Sequence, residues 1–238
     1  MGRQPRRRLI VGTARALPES RWYVHAVREV SIGELPGIVR SIDGGAQTIV
    51  GLVGPPGVGK STVSDWLAAE TVGLVVPMDG YHLDHDLLVA RGDVGRKGAP
   101  FTFDAWGFAR TLQRLRSRAD GETVYFPRFD RTIENAIAGS VGVTDEPLVI
   151  VEGNYLLLDD EPWRLARSAL DLVVYIDLAE TTRLLRLMRR HVEHGRTRRA
   201  AAAHTRSSDE LNARLIEESR PFADLAVSID GFDPTSLG

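Results

Sequence analysis

The densest chemistry in this 238-residue chain lies in one stretch, Gly54-Pro55-Pro56-Gly57-Val58-Gly59-Lys60-Ser61-Thr62. It fits G-x-x-x-x-G-K-[ST], the spacing of a phosphate-binding loop. Glycines let the backbone take positive φ angles and turn its N–H groups inward onto phosphate oxygens. A helix starting near Lys60 adds the positive end of its dipole and its unpaired amides. The Lys60 ammonium then reaches the β- and γ-phosphates, and the Ser61 hydroxyl is a ligand for Mg²⁺. Gly57-Val58-Gly59 lacks the third glycine of a dinucleotide-binding turn, so that reading is weaker. The loop implies a nucleoside triphosphate.

Three further apolar runs end in a carboxylate, at Met78-Asp79-Gly80, Val151-Glu152-Gly153 and Ile176-Asp177. In a parallel sheet these ends share one edge with the loop, so the acids converge near the γ-phosphate. Asp79 reads as the base that accepts the proton of an acceptor hydroxyl; an unperturbed Asp, with a pKa of about 3.9, is ionised at neutral pH. Phosphoryl transfer has a loose transition state, so the main task of such a base is to orient the hydroxyl. Glu152 stands where an acid would hold Mg²⁺, through water, because Mg²⁺ dehydrates reluctantly. Asp177 reads equally well as a solvated strand end. The segment Asp79–Asp86 also contains His82 and His85, three apart among acids. Zinc is one reading of that pair; without cysteines, a polar substrate loop is the better one.

Stepping outward to the elements that must position these groups, short β-branched runs alternate with longer helical stretches. The runs are Thr48–Val53, Leu74–Met78, Leu148–Val151, Leu172–Ile176 and a weaker Leu225–Ile229; helical periodicity covers Ser61–Glu70, Ala105–Arg118, Thr181–Glu193 and Asp209–Glu218. Near-continuous apolar strands suit a sheet covered on both faces, and the alternation predicts an α/β doubly wound parallel sheet. Ile32, Leu35, Ile38, Val39 and Ile42 follow a 3.6 period, which predicts one amphipathic helix over Ser31–Asp43. No internal repeat or low-complexity tract is present.

The P-loop, Val76-Pro77-Met78-Asp79-Gly80-Tyr81-His82, Arg96-Lys97-Gly98-Ala99-Pro100, Thr102-Phe103-Asp104, Phe129-Asp130-Arg131 and Val151-Glu152-Gly153-Asn154-Tyr155 follow one another in that order. Together they resemble the P-loop kinases that include uridine kinase, phosphoribulokinase and bacterial pantothenate kinase. The likeness is strongest to a bacterial nucleoside/nucleotide kinase-like branch, also called fructose-transport-system kinase, and spans Thr48 to Asp230. It implies a P-loop kinase fold with ATP and Mg²⁺ as cofactors, Asp79 as the family's base and Glu152 as its metal-side acid. It also implies a helical lid near residues 186–205, with Arg190 and Arg196 stabilising charge on the transferring group and the alanine-rich run after Arg198-Arg199 continuing it as a mobile helix. By position, Tyr81, His82, Lys97, Phe129, Arg131 and Asn154 are the candidate acceptor contacts. The sequence departs from uridine kinases, which carry Ser after the catalytic Asp where Gly80 stands here. Lys97-Gly98-Ala99-Pro100 matches a pantothenate kinase element whose substrate segments are missing.

Composition limits the alternatives. Thirty Lys+Arg against 32 Asp+Glu give a net charge of −2, without the positive excess of a general nucleic-acid binder. No apolar run approaches the ~18 residues of a membrane span. The absence of cysteine removes disulfides and thiol catalysis and suits a reducing, cytoplasmic setting. Residues 1–30 read as an Arg-rich, poorly ordered extension with an organelle transit peptide as the alternative, and 31–238 as a single kinase domain. The partners expected are a small-molecule hydroxyl substrate and at most a second copy of the chain. The function expected is an ATP-dependent phosphotransferase acting on a sugar, nucleoside or pantothenate-like alcohol. The competing reading is a nucleotide-hydrolysing switch or chaperone. For it, Asp104-Ala105-Trp106-Gly107 offers a loose D-x-x-G, but no Asn-Lys-x-Asp is present to read guanine.

Overall fold

The computed structural model describes residues 26–45, 47–193 and 195–234. Its centre is a six-stranded, all-parallel sheet of β1 (Arg28–Val30), β2 (Thr48–Val53), β3 (Leu74–Pro77), β6 (Leu148–Glu152), β7 (Leu172–Asp177) and β8 (Leu225–Ser228), in spatial order β1-β8-β7-β2-β6-β3. Each central strand buries both faces. Ile49 and Val53 of β2 join one core while Val50 and Leu52 join the other; β6 divides Val149 and Val151 from Leu148 and Ile150 in the same way. Two-sided burial is why these runs read as continuously apolar. Each such side chain contributes roughly 1.5–3 kcal/mol relative to exposure.

One face is covered by α1 (Leu35–Arg40) and α2 (Lys60–Thr71), through Leu35, Val39, Val63, Trp66 and Leu67. The other carries α4 (Ala105–Arg116) and α5 (Glu161–Arg167), through Phe108, Leu112, Trp163 and Ala166. Between β7 and β8 lie α6 (Glu180–Glu193), α7 (Arg198–His204), a π-turn (Thr205–Asp209) and α8 (Glu210–Glu218), and the segment expected as a lid, residues 186–205, falls mainly on α6 and α7. Near the N-terminus the predicted Ser31–Asp43 helix is shorter. Ser31 and Glu34 form a capping box around a 3₁₀ turn, and α1 starts only with Leu35-Pro36. Of the Arg-rich stretch, residues 1–25 lie outside the described residues; Arg28–Val30 pair with β8 as the sheet edge.

Two features depart from the sequence reading. Residues 124–143 form an antiparallel hairpin, β4 (Val124–Asp130) with β5 (Asn135–Val143), outside the main sheet. Its register shifts at Phe126/Arg128, around Pro127, which has no N–H to give a ladder. The segment after His82 is not simply a loop: α3 (His85–Arg91) is capped by Asp84, whose carboxylate accepts from the Asp86 and Leu87 amides. Asp104 is likewise an N-cap, its Oδ1 accepting from Gly107 N at 2.8 Å. The D-x-x-G match is therefore a helix start, which accounts for those residues without a switch. Among the described residues no helix is long and apolar enough to cross a membrane.

Candidate active site

The carboxyl ends of β2, β3 and β6 open onto one cavity of about 610 Å³. The loop after β2 makes one wall. Gly57 and Gly59 sit at φ +82° and +105°, in the left-handed region where glycine is favoured. A Cβ at Gly57 would also stand 2.5 Å from Leu187 Cγ, because the loop packs directly on α6. Lys60 folds back across the loop and donates to Gly54 O (2.7 Å) and Pro55 O (3.3 Å). Burial pulls its pKa down to about 8, against the opposing carboxylates of Glu152 and Asp79. The loop is thus poised around an ammonium that is costly to bury without an anion.

Ser61 Oγ donates to the Glu152 carboxylate, 3.0 Å from each oxygen. Burial raises the Glu152 pKa, with Lys60 opposing. A hydroxyl and a carboxylate side by side are the hard oxygen donors Mg²⁺ prefers, so these residues fit that ion. Gly54, Pro55 and Val58 do not line the cavity; Val58 is buried in the apolar core beneath the loop. Pro56, Gly57, Gly59, Lys60, Ser61 and Thr62 do.

Across the cavity, Asp79 lies in a 3₁₀ turn (Met78–Tyr81) that continues β3. Its Oδ2 accepts from Arg131 at 3.4 Å. A Cβ on Gly80 would run into the Pro127 carbonyl, so the turn seats closely on β4 and brings Asp79 to the hairpin that carries Arg131. His82 is wedged between Phe103 and Phe129, at ring distances of 3.9 and 4.9 Å. Its Nδ1 lies 2.8 Å from Asp79 O. A carbonyl only accepts, so Nδ1 carries the proton and the neutral ring, favoured by burial, has its lone pair on Nε2. Lys97 donates to Glu134 O at 2.8 Å and stands over the Phe129 ring. Asn154 borders the same space.

Tyr81 does not join them. Its ring packs edge-on against Phe108 in the core, and burial raises its pKa to about 12. Asp177 also leaves the site: it accepts from Arg220 at 2.8 Å at the end of β7 and does not line the cavity. His82 and His85 do not form a metal cluster among the described residues.

Residues of α6, α7 and α8 line the remaining side. Arg190 and Arg196 both border the cavity, and burial together with Arg131 lowers the Arg190 pKa. Arg189 instead points outward and pairs with Glu193. Glu134, Asp209 and Asn212 line the cavity without a signal of their own in the sequence, whereas Arg186, His191 and His204 fall in the segment expected as a lid without being singled out as site residues. Arg186 donates to Val58 O at 3.2 Å, beside the loop. Buried Arg183 donates to Pro56 O at 3.4 Å and to Glu210 at 2.7 Å, which ties the loop, α6 and α8 together. Asn212 donates to Gly98 O at 3.2 Å, joining α8 to the Lys97 segment.

The family model for the phosphoribulokinase / uridine kinase family matches residues 49–228. An ATP-dependent kinase-like protein, notR', of Aspergillus versicolor is 40% identical over 60% of this chain and 88% of that protein. Protein YggC of Escherichia coli (strain K12), itself uncharacterized, is 37% identical over 73% of this chain and 75% of its own length. A crystal structure described as a "putative fructose transport system kinase" from Silicibacter sp. TM1040 superposes with a TM-score of 0.76 at 39% identity, covering 83% of this chain and 98% of that one. Phosphoribulokinase from Rhodobacter spheroides, at 14% identity and a TM-score of 0.54, shares the fold. The chain belongs to the phosphoribulokinase / uridine kinase family of ATP-dependent P-loop kinases.

Proposed function

We propose that this protein transfers the γ-phosphoryl group of ATP to a hydroxyl of a small metabolite held between the Asp79 turn, the β4–β5 hairpin and the lid. The observation that carries this reading is convergence: Lys60, the Ser61–Glu152 pair and Asp79 face a single cavity. Asp79 and Glu152 both act on the Lys60 charge. The acceptor oxygen attacks the γ-phosphorus as its proton passes to the Asp79 carboxylate, and the bond to the β–γ bridging oxygen breaks to release ADP. Arg131 holds Asp79 from the side, its guanidinium donating to Asp79 Oδ2 at 3.4 Å. Lys60 neutralises charge on the β- and γ-phosphates, and Arg190 and Arg196 do the same from the lid. Ser61 and Glu152 would hold Mg²⁺, which would supply positive charge against the phosphates. A second cavity of about 320 Å³, between Gly59, Thr62, Arg186, Ile229 and Phe232, adjoins the loop. It suits the nucleotide base, with the planar guanidinium of Arg186 as one stacking surface.

The test is ATP turnover against a panel of sugars, sugar acids, nucleosides and pantothenate-like alcohols, with mass-spectrometric detection of the phosphorylated product. The kinase reading expects turnover to depend on one acceptor class. Hydrolysis at the same rate with and without every acceptor would overturn it in favour of a nucleotide switch.

A further inference from the structure

The lid holds a second constellation that the phosphoryl-transfer reading does not use. His191 lies near the end of α6, His204 ends α7, and Asp209 ends the π-turn that follows. One ligand atom from each lies within 4.8 Å of the others. His191 Nε2 and Asp209 Oδ2 are 2.7 Å apart, and the two imidazole rings meet edge to face at 5.0 Å. The His191 and Asp209 side chains are only 13% and 11% exposed. All three residues border the large cavity.

We propose that His191, His204 and Asp209 form a binding site for a zinc-class divalent transition-metal ion, separate from the Mg²⁺ ligands Ser61 and Glu152. The backbone is shaped for this meeting. In an α-helix, residues five apart lie about 140° apart around the axis, so His204 and Asp209 would face different directions. The π-turn at Thr205–Asp209 brings them together. Within the turn Ser207 Oγ donates to His204 O at 3.3 Å, while Thr205 Oγ1 and Ser208 Oγ are buried without a partner. Single π-turns inside helical segments occur frequently at functional sites.

The donor set selects the ion. Two imidazoles and a carboxylate suit zinc and its neighbours at about 2.0–2.2 Å, whereas Mg²⁺ takes oxygens. Tetrahedral partners at that range stand about 3.4 Å apart. The present spacing brackets this value, with 2.7 Å for one pair and none beyond 4.8 Å. Binding displaces the proton between His191 Nε2 and Asp209, and the neutral imidazole keeps its one N–H on Nδ1. Three protein ligands leave a position open towards the cavity, as in metal sites that take a further ligand. Arg190 and Arg196 border the same cavity and favour an anionic group there. Because the ligands come from both sides of Gly195, the ion also ties α6 to the α7–α8 segment.

The test uses the full chain, stripped with a chelator and kept in millimolar Mg²⁺ so that the oxygen site is filled. Zn²⁺ uptake is followed by calorimetry, and Co²⁺ by its visible d–d absorption. One equivalent is expected, lost in His204→Ala and Asp209→Asn and kept in His85→Ala. Circular dichroism checks that each variant folds, and His204→Gln, which keeps more of the volume, provides a second test should alanine unfold the lid. No Zn²⁺ uptake by the wild type, or uptake that survives the His204 and Asp209 substitutions, overturns the site. The readout is metal binding, so a protein that takes up zinc yet transfers no phosphate refutes only the kinase reading.

Discussion

Lys60 makes nucleotide affinity depend on pH in a direction and amount that follow from its surroundings. In the free protein its ammonium titrates near 8, because burial outweighs the attraction of Glu152 and Asp79. A polyphosphate set against it favours the charged form, so the bound lysine stays protonated well above that pH. Binding above pH 8 must therefore take up a proton. The charged fraction in the free protein falls from about nine-tenths at pH 7 to about one-tenth at pH 9. The Kd for MgATP accordingly rises about tenfold across that window, about 1.4 kcal/mol. The ligand does not blur the effect, since the second ionisation of a phosphate monoester lies near pH 6. Calorimetry at fixed ionic strength from pH 6.5 to 9.5, in two buffers of different ionisation enthalpy, measures both Kd and proton uptake. Lys60→Arg, which keeps its charge throughout, should bind more weakly at pH 7 but show a flat profile. A wild-type Kd that stays constant to pH 9.5 while the protein remains folded would refute the placement of Lys60 against the phosphates.

Three further outcomes test the neighbouring residues. Asp79→Asn should lower kcat by about 10²–10⁴, the usual range for a proton-accepting group, with MgATP affinity nearly unchanged; equal losses in both would move Asp79 to metal binding or folding. Glu152 has a raised pKa, so the carboxylate needed for the metal is lost as pH falls through a value above the ordinary 4.5. The acid limb of kcat/KM should therefore lie above that value and disappear, at reduced activity, in Glu152→Gln. Gly80→Ala forces a methyl against the Pro127 carbonyl. It should cost about 1–3 kcal/mol by urea unfolding and raise the acceptor KM more than the MgATP KM.

The parts of the molecule legible from sequence are those whose chemistry is local. The β2 run, the glycine spacing and Lys60-Ser61 are contiguous, and two-faced burial of Ile49, Val50, Leu52 and Val53 leaves an unbroken apolar signal. The acids after β3 and β6 follow from the shared edge of a parallel sheet. The hairpin is hidden because Pro127 interrupts β4, and because the outward-facing Tyr125 and Ile137 are themselves apolar and blur the alternation in hydropathy. Tyr81 and His82 are adjacent, but Tyr81 closes the 3₁₀ turn while His82 just after it has left the helical backbone, at ψ 137°. One side chain therefore enters the core and the other the cavity, and adjacency to Asp79 does not decide which. Asp209 and Asn212 look like the start of an ordinary amphipathic helix; the π-turn shifts their phase by tertiary packing that no local pattern encodes.

This division has a chemical consequence. On the proposed function, the phosphates would rest on the loop after β2, where a change at Gly57 would also disturb the packing on Leu187. The acceptor would meet the Asp79 turn, Lys97 and the hairpin around Arg131, which line the same cavity. These groups are joined by individual contacts such as Lys97 to Glu134 and Asn212 to Gly98. Substituting one of these residues remodels the acceptor subsite without touching the sheet that carries the loop. On the proposed function, a fold arranged in this way would let the acceptor subsite change while the phosphate loop stays the same.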